Sequence, residues 1–214
     1  MSVIKVVDVI DQAAYMLTDE GSVRWTKPTL LKWFNEAQRA VVLRRPDSLA
    51  INESFACIAG PKQVLPAIGI RLIDVVRVVG GAAITNVSRS LIDSHIRDWY
   101  SLPESAAIEH YVYDERDPKT FYVYPPAVVG TLIEIIYSKS PDEIVIADFD
   151  TDTQVIAVDD VFANALQEYI LYKAWTKDAE HAGNLTRASN HFNQFRVAIG
   201  EKTQADAMMA PANG

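Results

Sequence analysis

The stretch "DFDTDT" places carboxylates at Asp148, Asp150 and Asp152, an alternation that resembles the first half of a calcium loop. A calcium loop needs glycine at its sixth position and glutamate at its twelfth, where this chain has Thr153 and Asp159. A solvated acidic loop is therefore the plainer reading, with Asp148, Asp150 and Asp152 kept as weak metal candidates. The four histidines, His95, His110, His181 and His191, never pair at one-turn helical spacing, so a zinc site would have to be assembled by the fold. Cys57 is the sole cysteine; its apolar neighbours in "SFACIAG" suit a small buried residue better than a nucleophile. Asp114 with Asp117 and Asp159 with Asp160 are close in sequence. General acid–base work also requires a cleft that separates the two pKa values. Neither a glycine-rich phosphate loop nor a nucleophile elbow occurs. No catalytic residue and no cofactor is expected.

The remaining chemistry is that of surfaces. The stretch "YVYDERDPKTFYVY" sets Tyr111, Tyr113, Tyr122 and Tyr124 around a turn containing Glu115, Arg116, Asp117 and Lys119. Within each strand its two tyrosines share a face. Tyrosine supplies large contact area at low entropic cost and is enriched at interfaces. A turn rich in both charge signs suits ion pairs repeated between subunits. The plainer alternatives, tyrosines covering the protein's own helices and a solvated turn, stand beside these readings.

Positioning falls to helices at both ends of the chain and strands between them. Val6, Ile10, Ala13 and Leu17 mark one helical face. Thr26 as N-cap, the stripe Leu30, Phe34, Ala37 and Val41, and Pro46 as the stop define a second helix. Gly60-Pro61 suggests a hairpin, residues 69–79 are rich in β-branched side chains, and "SRSLIDSHIRDWY" reads as a short helix. Runs at 108–113, 120–124 and 131–137 predict a three-stranded antiparallel meander, with Pro125 and Pro126 ending or bulging its middle strand. Phe162, Leu166 and Tyr169 start the strongest helix, with Gly183 as its C-cap. Leu185, Ala188, Phe192, Phe195 and Ile199 form a seven-residue repeat in the next. The expected fold class is α+β. Helix pairs at 1–49 and 159–200 form a four-helix bundle, with an antiparallel β-rich module inserted at 50–158 and a flexible tail at 201–214 that carries Met208 and Met209.

With 214 residues, 49% hydrophobic and 22% charged, the chain is long enough to bury a core. Its net charge of −8 disfavours a protein that grips nucleic acid, but suits a conduit along which DNA slides without sticking. A single cysteine fits a reducing compartment, and neither a signal peptide nor a membrane span is expected.

Three stretches, "VIDQAAYMLTDEGSVRWTKPTLLKWFNEAQRAVVLRRPD", "HYVYDERDPKTFYVYPP" and "DVFANALQEYILYKAWTKDAEHAGNLTRASNHFNQF", together resemble phage adaptor proteins. These are the head-to-tail connectors of short-tailed phages, similar to the tail tubular (gatekeeper) proteins. The resemblance runs from Val9 to Ile199; Trp25-Thr26, the "DERDP" turn and the "KDAE" helix end carry it best. It implies a structural virion protein made in the host cytoplasm. Such a protein forms a ring, commonly a dodecamer, between portal protein and tail nozzle protein. Viral DNA passes through the lumen without sequence-specific binding, no membrane is involved, and the ring is a platform for tail assembly. Another neck, head-completion or tail-terminator role is the alternative, and a carboxylate-based hydrolase a more distant one.

Overall fold

A computed structural model describes residues 2–200. The expected tail at 201–214, with Met208 and Met209, lies outside the described residues. The described fold is α+β, with five α-helices and seven strands in two sheets. The chain forms two compact units, Met1–Arg45 with Pro141–Gly214, and Pro46–Ser140.

In the first unit, α1 (Val6–Met16) buries Val6, Ile10 and Ala13, three members of the stripe read from the sequence. Leu17, the fourth, is the C-cap. Thr26 is the N-cap of α2 (Lys27–Arg44), with Pro28 in its first turn, where a missing N–H costs nothing. Between these helices the Asp19 carboxylate accepts the N–H groups of Val23, Arg24 and Trp25. Those three bonds, led by that of Trp25, hold its pKa below the ordinary aspartate range. The third long helix, α4 (Ala163–Lys177), packs against α1, α2 and α5 (Ala182–Ala198). Gly183 does not cap α4; it lies in the first turn of α5. The helix stops earlier, where the Asn184 amide donates to the Asp178 carbonyl at 3.0 Å. Phe195 and Ile199 are buried as the heptad predicts, whereas Leu185 is exposed.

Residues 141–160 hold seven acidic side chains, Asp142, Glu143, Asp148, Asp150, Asp152, Asp159 and Asp160, and no Lys or Arg. This segment is tied to α2 by backbone-mimicking amides. Asn35, buried, donates Nδ2–H to the Ile144 carbonyl at 2.8 Å and accepts the Ile144 N–H at 3.0 Å. The Gln38 carbonyl oxygen accepts the Ala157 N–H at 2.7 Å. Val155 of this segment forms one isolated antiparallel bridge with Lys5.

The second unit holds both sheets. One has the order β1 (Ala50–Ala56), β7 (Leu132–Lys139), β3 (Gly69–Val78). The other has the order β2 (Gly60–Val64), β6 (Thr120–Ala127), β5 (His110–Tyr113), β4 (Thr85–Asn86). Two expectations are corrected here. The meander is broken: β5 and β6 pair, but β7 joins the other sheet. The 50–64 hairpin also divides, β1 going to one sheet and β2 to the other. Alternation shows which face of a strand is buried, not which strand lies beside it. Moreover the module is not wholly antiparallel, since β4 runs parallel to β5. Pro125 and Pro126 sit within β6, opposite a register shift between Gly60 and Lys62 of β2, so the strand bulges rather than ends. The two sheets share one core, with Leu72, Val75, Ile133, Ile135 and Tyr137 facing Tyr111, Phe121 and Val123. On the other face of β5 and β6, Val112, Tyr122 and Tyr124 pack with Ile92 of α3 (Arg89–His95) and the fully buried Trp99.

Candidate functional site

The β5–β6 hairpin brings the four tyrosines together in two pairs on opposite faces. Tyr111 lies opposite Val123 and Tyr113 opposite Phe121, on the core face. Tyr111 is buried, and its hydroxyl donates to Asp74 at 2.8 Å while accepting from the Asn86 amide at 3.2 Å. Burial first, then the Asp74 carboxylate, push the phenol up to about 12. The Tyr113 hydroxyl donates to the Pro118 carbonyl at 3.3 Å.

Tyr122 and Tyr124 are half-buried on the other face around Trp99. Their ring centroids lie 6.3 and 6.5 Å from that of Trp99, both edge-on, and Tyr100 stacks on Trp99 at 3.8 Å. Edge-to-face geometry sets the positive rim of one ring against the negative face of another. The Trp99 indole N–H donates to Asp93 at 2.9 Å, so the cluster's polar group is satisfied. Sequence reading placed the four tyrosines but missed Trp99 as the hub for Tyr122 and Tyr124. The signal was present in "RDWYSLP", where two aromatics precede a proline.

The charged turn is tied back rather than projecting as a free arm. Arg116 clasps Asp114 through Nε at 3.0 Å and Nη2 at 2.7 Å, and its backbone N–H adds a third bond at 3.0 Å. This clasp lowers the Asp114 carboxyl to about 2. Glu115 accepts from Arg71 of β3 at 2.6 Å. The Pro118 and Lys119 carbonyls accept the N–H groups of Leu72 and Leu65. Asp117 turns the chain through its backbone, its N–H donating to the Asp114 carbonyl. Side chains of Glu115, Arg116 and Asp117 remain exposed at the surface.

Two of the three acidic candidates, Asp148 and Asp152, bond locally through their carboxylates. Asp148 accepts the Asp150 N–H at 3.0 Å and the Thr151 hydroxyl at 2.9 Å, led by the former in lowering its pKa. Asp152 accepts the backbone and side-chain N–H groups of Gln154. Among the described residues, no group of three or more His, Cys, Asp or Glu converges to hold a metal ion. Asp159 caps the turn before α4 by accepting the Val161 N–H, whereas Asp160 accepts from the Ser2 hydroxyl and the Val3 N–H, so this pair shares no site. Cys57 is buried, which pushes its thiol up to about 11. Unlike these sites, a groove of about 650 Å³ beside β4 and β5 is lined by small apolar residues, including Ala82, Ala83, Ala106, Ala107 and Ile108. No helix among the described residues is long and apolar enough to cross a membrane.

Fold and site together define an α+β protein in which Tyr111, Asp114, Glu115, Asp148 and Asp152 bond within the fold and Cys57 is buried. The model of one family, SU10 adaptor protein, matches residues 4–214, and the chain belongs to that family. The resemblance to phage head-to-tail adaptors is met by this membership, which places the chain among structural proteins. A search of curated proteins found no match.

Proposed function

We propose that the protein is a structural component of the virion, a head-to-tail adaptor that forms a ring between the portal protein and the tail nozzle protein. Family membership across residues 4–214 is the observation that carries this reading. In this ring, commonly a dodecamer in proteins of the resembled kind, the four long helices form a bundle that builds the wall. The β-rich unit, with Tyr113, Tyr122 and Tyr124 and the turn at Glu115, Arg116, Asp117 and Lys119, makes contacts to neighbours. The reading is supported by the two-unit architecture and by exposed mixed charge at the turn. Seven carboxylates in residues 141–160 without a cation suit a channel wall, because like charge keeps DNA phosphates from adhering. The ring extends the DNA channel and gives the tail its platform.

The test is genetic and structural. Particles made without this protein are expected to fill with DNA, fail to acquire tails and lose the genome. Wild-type particles are expected to show its density at the head–tail junction. Tailed, infectious particles lacking the protein would overturn the proposal.

A further inference from the structure

We infer that β1 is a docking edge for an extended strand of another protein, one carrying a lysine or arginine flanked two residues away on each side by apolar side chains. The inference rests on the adaptor reading only for the partner's identity as a head or tail protein.

Among the described residues, the two sheets have four edges, and three are blunted. At β2, Pro61 and a register shift interrupt the ladder. Three register shifts break β3, whose outer side bonds to Pro118, Ala82 and Ile84. With two residues, β4 is too short to template a strand. By contrast, β1 runs seven residues in unbroken register with β7 and contains neither proline nor lysine. Natural sheets protect edges by the devices seen on the other three.

Hydrogen-bond geometry shows which groups β1 offers. The Leu132 carbonyl accepts Val79 N–H on the β3 side, and Cys57 N–H donates to Thr131. Phe55, Glu53 and Ile51 therefore exchange bonds with β7, while Ala50, Asn52, Ser54 and Ala56 turn their N–H and C=O groups to the open side.

Side chains define the occupant. Ile51 and Phe55 are half-buried and extend the core face to the edge, with the exposed Glu53 between them. Glu53 accepts from the Tyr137 hydroxyl at 2.8 Å through one carboxylate oxygen, and its side chain is exposed. An inward-facing charge on an edge rejects indiscriminate partners. Two copies of β1 paired antiparallel about residue 53 would oppose like charges, which disfavours self-pairing. A strand with a cation opposite Glu53 and apolar residues opposite Ile51 and Phe55 is accepted.

The full chain would be titrated with a fluorescein-labelled heptapeptide of threonine alternating with valine, lysine and valine, and with its glutamate-for-lysine counterpart. The lysine peptide is expected to bind about tenfold more tightly. E53Q should abolish the preference and E53K reverse it. Amide exchange at Asn52 and Ser54 should slow on binding. Ser54→Pro removes an outward N–H without touching the β1–β7 ladder, so it should lose the peptide while β7 amides stay protected. Equal binding of both peptides, a preference indifferent to residue 53, or protection outside β1 would overturn the inference, as would self-association of the chain through β1. None of these outcomes depends on portal or tail, so the adaptor reading stands or falls separately.

Discussion

Replacing Asn35 should detach the acidic segment from α2 at a cost legible in two hydrogen bonds. The side chain is 4% exposed and serves both polar groups of Ile144, donating at 2.8 Å and accepting at 3.0 Å. Asn35→Leu fills the volume but satisfies neither group. Each buried, unsatisfied group costs on the order of 1–3 kcal/mol. Two of them give about 2–6 kcal/mol, and partial entry of water favours the lower half, about 3 kcal/mol. For a protein of this length that corresponds to a fall in Tm of roughly 6–12 °C. Urea unfolding followed by tryptophan fluorescence measures the loss, and amide exchange at Ile144 localises it. A change below about 0.5 kcal/mol, the level of an ordinary surface substitution, would refute the reasoning.

Other expectations follow from single sites. Trp99→Ala should cost about 3–5 kcal/mol, read by chemical denaturation, because Trp99 is fully buried beneath Tyr100, Tyr122 and Tyr124. Tyr111 and Tyr137 both titrate at about 12 in the fold and near 10 when unfolded. Raised phenol values mean that their stabilising contribution is complete below about pH 10 and is lost as pH rises toward 12. Tyr111→Phe should flatten that alkaline decline in a thermal-melt series. At acid pH the signs reverse: Asp19, Asp148 and Asp160, all lowered, stabilise above the unfolded aspartate range and cease to as pH falls through their folded values. Cys57 should react with a thiol reagent at pH 8 only on the timescale of unfolding, since its thiol is buried and raised to about 11.

Much of the helical unit was legible because one face of each helix is apolar at fixed spacing. The buried face of α1 and the N-cap of α2 fall at residues the sequence names, Val6 to Ala13 and Thr26. Strand pairing was not legible. Ile133, Ile135 and Tyr137 announce a buried face, but whether β7 lies beside β6 or across a core from it depends on contacts distant in sequence. The same holds for Asn35 and Gln38, whose partners lie more than a hundred residues away. In the hairpin the tyrosines were found and the alternation of faces followed, yet their different fates required Trp99 and Asp74 to be seen. For the charged turn, composition marked the residues, while the Arg71–Glu115 tether depended on the neighbouring sheet.

The most direct test of the adaptor role is sedimentation of the purified protein, alone and mixed with portal rings of the same virus. The account predicts co-sedimentation at a fixed number of subunits per portal ring, the number reporting the size of the adaptor ring. A protein that stays monomeric and apart from the portal at every salt concentration would contradict it.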